Sequence, residues 1–361
     1  MSEVKSMYVH IPFCKSICSY CDFTKVFYSF LYEDKYLDAL KKEIEDDNPN
    51  ICDTIYIGGG TPSTMSVELL RRIIGAIKPD TLDAEIEVTI EANPGDITLE
   101  KARAWRALGI NRLSIGIQSF NDHLLQLIGR RHSSSEAIQA VKDAQAAGFD
   151  NISIDLMYAL PDQTMAMWQD DIAQALALGV QHISSYGLIY EEGTVLTTLL
   201  EHGIIEAVDE EIEMQMYDYL VEQLTQYGFQ HYEVSNFALP GRQSQHNSSY
   251  WNDTPYIGLG AGAHSYNRTQ RQWNISELDS YIEQALAHNL QPEIEILTDE
   301  QRHTEHIMLA LRTNQGVSKK LVNQEAAKRY IQQGLLIEQN GYIMATTQGF
   351  HVLNRIIEEV I

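Results

Sequence analysis

Three of the four cysteines, Cys14, Cys18 and Cys21, fall within eight residues of the stretch IPFCKSICSYCDF. In a reducing compartment, thiols crowded onto one loop bind metal or do redox chemistry rather than pair as disulfides. The CxxxCxxC spacing can fill three corners of a cubane iron-sulfur cluster and leave the fourth iron without a protein ligand, open to a substrate. The same three thiolates can also belong to a closed structural zinc site, with His10 near enough to complete a Cys3His set. Three unconnected buried thiols fit less well, because a short loop offers little core to bury them in. Cys52 is different: it stands alone before an apolar run and reads as a small buried hydrophobe.

Such a loop needs a scaffold, and the chain supplies a periodic one. Short β-branched runs alternate with helical patterns: MYVHIPF then LYEDKYLDALKKEIED, TIYIGG then VELLRRIIGAI, EIEVTIEA then LEKARAWRALG, RLSIGIQS then Asn121 to Gly148, NISIDLMYAL then MAMWQDDIAQALALG, and HISSYGLIY. Gly109, Gly148 and Gly179 close helices, and Ser133 to Glu136 reads as a helix start. Six βα units imply a parallel sheet, either open and doubly wound or a partial barrel, since eight would be needed to close one; the period does not choose. Both architectures bind ligands at the carboxyl ends of the strands. The cysteine loop follows strand one, GGGTP follows strand two, Glu91 ends strand three, Gln118 ends strand four and Asp155 lies in strand five. Five successive strands thus bring polar groups to one rim.

Composition narrows the partners. With 50 acidic against 26 basic residues, the net charge of −24 repels phosphate backbones and anionic lipid headgroups, which argues against nucleic acid. The amino-terminal residues carry no apolar segment of signal-peptide type, and no apolar run approaches the roughly 18 residues of a spanning helix. The expectation is a cytoplasmic protein that is not integral to a membrane. At 361 residues and 44% apolar content the chain can bury one large core and a smaller one.

The ordered set CKSICSYC, GGGTP, EANP, GIQSF and SIDLMYALP resembles the radical S-adenosylmethionine (SAM) superfamily, in the branch around oxygen-independent coproporphyrinogen dehydrogenase. The resemblance implies an α/β fold, a partial (β/α)6 TIM-type barrel, with a [4Fe-4S] cluster on Cys14, Cys18 and Cys21 and the methionyl amine and carboxylate of SAM on the open iron. It implies that Tyr8 and Tyr20 lie beside cluster and nucleoside, and that Gly59, Gly60 and Thr61 admit the methionyl amine to backbone groups. Glu91, Gln118, Arg130 and Asp155 become polar contacts to the cosubstrate. Taken singly, Glu91 or Asp155 reads as readily as a cap or an ion-pair partner.

Within the branch, two departures matter. The decarboxylating enzymes carry a further cysteine two positions after the third, where this chain has Phe23, and a sizeable leader, where thirteen residues precede Cys14. HNSSYWN, residues 246–252, instead matches the HNxxYW pattern of HemW-type haem chaperones, as do YEVSNFA and CDF. His246 could serve as an axial imidazole, with Tyr250 and Trp251 as flat apolar surface for a macrocycle. On the residues alone, a hydrogen-bonded corner at the edge of a core is the plainer reading. His264 in GLGAGAHSY is a second candidate ligand, and Met165 and Met167 read as core filling. The implied organisation is a radical SAM core over 1–240, the HNxxYW segment and linking elements over 241–290, and a winged-helix-like domain over 291–361. The implied function is a haem chaperone that delivers haem to haemoproteins, membrane respiratory enzymes among them, without decarboxylase activity. The alternative is a radical enzyme acting on a porphyrinogen.

Overall fold

The computed structural model describes residues 5–47, 49, 52–77 and 86–361. Six strands lie parallel and in chain order: β1 (Ser6–Ile11), β2 (Thr54–Gly59), β3 (Glu87–Ala92), β4 (Arg112–Gln118), β5 (Ile152–Tyr158) and β6 (His182–Gly187). Helices return between them: α1 (Phe30–Asp47), α2 (Val67–Ile77), α3 (Leu99–Ala107), α4 (Ser134–Ala146) and α5 (Met165–Ala177), with α6 (Glu210–Gln226) after β6. Ile57, Ile90, Ile115 and Ile154 in the strands are fully buried, and Trp105 of α3 and Trp168 of α5 lock their helices onto the core. Each such aliphatic side chain contributes roughly 1.5–3 kcal/mol by leaving water. Helix α4 begins as expected, with the Ser133 and Glu136 side chains each bonding the other's backbone in a capping box.

The sheet does not stop at six strands. Beyond β6 run two antiparallel strands, β7 (Gln230–Glu233) and β8 (Asn236–Ala238), with β8 next to β6. On the other side β9 (Tyr256–Leu259) lies parallel to β1, followed by antiparallel β10 (His264–Tyr266), β11 (Gln270–Trp273) and β12 (Glu293–Ile296). The twelve described strands form one open ladder ending at β7 and β12, a partial rather than a closed barrel. The stretch 241–290, expected to hold the HNxxYW segment and linking elements, contributes three strands and two helices, α7 (Gln245–Trp251) and α8 (Leu278–Leu286). Its strands are only three or four residues long and partly polar, too short to show a period of two.

A second apolar core forms around Ile307, Leu311, Tyr330, Leu336, Ile343 and Ile356. It is built from α9 (Asp299–Ala310), α10 (Gln324–Gln332), the hairpin β13 (Leu336–Gln339) to β14 (Tyr342–Ala345), and α11 (Leu353–Val360). The hairpin turns through Asn340 (φ 53°) and Gly341 (φ 82°), the two left-handed residues a type I′ turn demands. No helix among the described residues is long and apolar enough to cross a membrane.

Candidate functional site

The cysteine loop is closed at its neck. Val26 N–H donates to Pro12 O at 2.8 Å and Tyr28 N–H to Cys14 O at 2.8 Å, so residues between them project as one lobe beyond β1. Cys14 is buried, with Sγ 3.4 Å from Thr61 Oγ1, while Cys18 and Cys21 are partly exposed. Arg130 Nη1 donates to Cys18 Sγ at 3.3 Å, and Lys25 Nζ donates to the carbonyls of Cys21 (2.6 Å) and Phe23 (3.0 Å). Burial raises the Cys14 and Cys21 thiols, and the nearby Lys25 ammonium opposes that rise. Asp96, whose importance the sequence did not signal beyond its place after EANP, holds the lobe from outside. Its buried carboxylate accepts from Lys15 Nζ (2.9 Å), Arg131 Nη2 (2.7 Å) and Ser63 Oγ (3.0 Å).

His10 does not stand as a fourth ligand for zinc. Its Nδ1 pairs with Tyr8 Oη at 2.9 Å and its Nε2 with Thr24 O at 3.0 Å, in a buried position. Among the described residues no three His, Cys, Asp or Glu side chains close to the distances of a single-ion site. Three thiols on one lobe that open onto a shared cavity are a donor set suited to a cubane with one open corner.

The three cysteines open into a cavity of about 490 Å³ at the carboxyl ends of the strands. Every residue expected at the cosubstrate lines it, Tyr20, Gly59, Gly60, Thr61, Glu91, Gln118, Arg130 and Asp155, with the exception of Tyr8. Tyr8 instead stacks behind the wall on Tyr56, with ring centroids 6.2 Å apart. Close approach demands the glycines: a Cβ on Gly60 would lie 2.7 Å from Pro12 O and 3.0 Å from Cys14 Sγ, and Gly59 has φ 116°. Glu91 accepts from Tyr56 Oη (2.8 Å) and from Gly59 N–H (3.0 Å). Burial pushes its carboxyl up to about 7 against those hydrogen bonds, with Asp155 adding to the rise. Burial likewise raises Asp155, which Arg112 and Ser114 oppose. Gln118 sits at φ 73°, a conformation that non-glycine residues hold only under tertiary constraint, and one that sites use to aim a side chain. Among the described residues Arg130 Nε has no partner. Buried carboxylates, an under-used guanidinium and a glycine cradle suit a zwitterionic ligand carrying a ribose.

The HNSSYWN segment is a helix, α7, seated across the amino ends of β2 and β3. Glu87, at the start of β3, accepts from Gln245 N–H (3.2 Å) and His246 N–H (3.0 Å). His246 is 1% exposed, its Nδ1 pairs with Thr54 Oγ1 (2.9 Å) and its Nε2 with Tyr250 Oη (2.9 Å), and its ring stacks on Tyr56 at 4.9 Å. Burial, helped by Arg112, lowers its pKa to about 3. The imidazole expected to ligate haem iron thus has both nitrogens in use, because its helix packs inward. The next residue, Asn247, which sequence reasoning passed over, lines the cysteine cavity. Tyr250 and Trp251 face a separate cavity of about 380 Å³. His264 is exposed, stacks on Trp273 at 5.5 Å and lines neither cavity. Met165 and Met167 pack into apolar clusters, as expected, and Cys52 is buried in the main core.

Residues 8–175 match the Radical SAM superfamily, whose members use a [4Fe-4S] cluster with SAM. The heme chaperone HemW of Lactococcus lactis subsp. lactis is 38% identical over 99% of this chain and 98% of its own length. HemW of Bacillus subtilis is 40% identical over 88% of this chain and 86% of its own. Among solved structures, coproporphyrinogen III oxidase (HemN) of Escherichia coli, a radical SAM enzyme, superposes with a TM-score of 0.83 over 99% of this chain and 89% of its own, at 23% identity, and so shares the fold. A cysteine lobe on a partial barrel, a glycine-lined cavity beneath it and near full-length similarity to two such relatives have one common explanation: the chain belongs to the HemW family of the radical SAM superfamily.

Proposed function

We propose that the protein is a cytoplasmic haem chaperone that carries a [4Fe-4S] cluster and SAM, binds haem, and passes it to haemoproteins, membrane respiratory enzymes among them, without decarboxylating coproporphyrinogen. Cys14, Cys18 and Cys21 hold the cluster. Glu91, Gln118 and Asp155 accept from the ribose and amine, Arg130 faces the methionyl carboxylate, and Gly59, Gly60 and Thr61 let the ligand reach backbone groups. Tyr20 walls the nucleoside, and Tyr8 supports that wall through Tyr56. A bound cluster supplies a one-electron redox centre beside the cosubstrate.

The observation that carries this reading is Phe23. It lies on the cavity rim, 68% exposed, at the position where the decarboxylating pattern has its extra cysteine. A benzyl ring offers apolar surface but no thiol, and Ile189 on the same rim, 69% exposed, extends that surface. The names of the full-length relatives support the same reading. The completeness of the cosubstrate residues favours a second one, a radical enzyme acting on a porphyrinogen. Anaerobic incubation of the reconstituted protein with haem, SAM and coproporphyrinogen, followed by mass analysis, separates them. Retained haem with unchanged coproporphyrinogen is expected; turnover to protoporphyrinogen well above background would overturn the chaperone reading.

A further inference from the structure

The second cavity, about 380 Å³, lies within the size range of small-molecule sites and is walled from three directions. Helix α7 gives Tyr250 and Trp251, strands β9 to β11 give Tyr256, Tyr266 and Arg271, and α9 gives His306. The tyrosine rings stand in contact as a continuous wall: Tyr250 meets Tyr256 edge to face at 4.8 Å, and Tyr256 meets Tyr266 at 5.9 Å. Two of the hydroxyls are accounted for, Tyr250 by His246 and Tyr266 by Asp253, which leaves aromatic surface toward the void. Such surface favours a flat conjugated ligand over an aliphatic one.

His306 stands apart from the buried histidines. His10, His182 and His246 each have both ring nitrogens hydrogen-bonded, whereas no hydrogen bond holds the exposed imidazole of His306 among the described residues. It shares a face of α9 with Arg302, four residues earlier, and both line the cavity. Among the described residues Arg302 pairs only with the exposed Asp299, a contact worth little, while Arg271 is held by both oxygens of Glu305 and lies 5.6 Å over the Tyr266 ring. An aromatic slot, one open imidazole and guanidinium groups at its edge are the three features a metalloporphyrin with two carboxylates requires.

We propose that this cavity is the haem site, with the apolar edge of the macrocycle between Trp251 and the tyrosines, His306 ligating the iron, and Arg302 and Arg271 facing the propionates. The inference rests on the haem-chaperone reading and deepens it, because it separates haem from cosubstrate. Helix α7 lies between the two cavities, turning Asn247 to one and Tyr250 and Trp251 to the other. Haem held there is cargo, out of contact with the cluster lobe.

The test uses the full chain, reconstituted without oxygen and titrated with ferric haem while the Soret band is followed. Wild type should bind. His306→Ala should shift the band and weaken binding on the order of tenfold or more, with circular dichroism unchanged because the residue is exposed. Added imidazole should restore the band in His306→Gly, and Trp251→Ala should weaken binding of metal-free protoporphyrin, which needs the slot but no ligand. A His306→Ala protein with wild-type band and affinity overturns the site while leaving the chaperone reading intact. A wild-type protein that takes up no haem overturns the chaperone reading itself.

Discussion

His246 should remain neutral far into acid. Its folded pKa of about 3 lies well below the ~6.5 of an unfolded histidine, and the cause is burial, with Arg112 adding repulsion. Below pH ~6.5 the unfolded chain takes up a proton that the native side chain refuses, so the stability this residue contributes is complete above that pH and is lost as pH falls toward the folded value. Each pH unit in this window is worth ~1.4 kcal/mol, so about 2 kcal/mol is gone at pH 5. Other buried groups confuse the total. His10, His132 and His231, lowered to about 4, act with the same sign. Glu43, Glu91 and Glu233, raised to about 7, act with the opposite sign between there and the ordinary carboxylate range. The difference between wild type and His246→Gln isolates the one residue. At pH 7 the variant loses hydrogen bonds to Thr54 and Tyr250, at most about 2 kcal/mol together, and at pH 5 the wild type bears a proton penalty of similar size. The stability gap measured by urea unfolding should therefore close between pH 7 and pH 5, while the ring-labelled His246 NMR signal should not move. A gap that stays constant, or a His246 resonance titrating near pH 6.5, would refute the argument.

Three further outcomes are expected. Cys18→Ser should abolish iron and sulfide uptake and the broad visible absorption of the reconstituted protein, whereas Cys52→Ser, buried in the core, should keep the cluster. Asp155→Ala should weaken SAM binding by roughly ten- to a hundredfold in anaerobic calorimetry with iron content unchanged, and Arg130→Ala should do so while also shifting the cluster potential, since Arg130 touches Cys18 Sγ. Asp96→Asn should release Lys15 and Arg131 from the lobe; those partners are 43% and 29% exposed, which discounts the loss to about 1–3 kcal/mol, read as faster iron loss to a chelator.

What the sequence disclosed and what it hid divide along a physical line. The six parallel strands, the capping box at Ser133 and the turn at Asn340 and Gly341 are local, set by a period of two, a side chain reaching three residues on, or two left-handed positions. The rim residues Glu91, Gln118 and Asp155 were legible because in such sheets a strand's carboxyl end is a position with a known outlook. The inward set of α7 was not, because it depends on Glu87 and Thr54, 159 and 192 residues away along the chain. Asp96 was equally hidden, since three partners from three separate segments give it its role. His306 lay in a helix whose pattern says only that it is amphipathic; the cavity it meets comes from packing.

Strand β1 has a neighbour on each side, β2 from the following fifty-odd residues and β9 from residues 256–259. During synthesis the first of these arrives early and the second only after more than two-thirds of the chain has left the ribosome. Until then one edge of β1 is an unpaired row of amides and carbonyls, and Glu43 lacks the Gly260 amide, the Asn274 amide group and the Tyr281 hydroxyl that it later binds. The cysteine lobe hangs from that strand. The strand that carries the lobe is therefore finished late in biogenesis, only once residues 256–281 have been made and have closed its far edge.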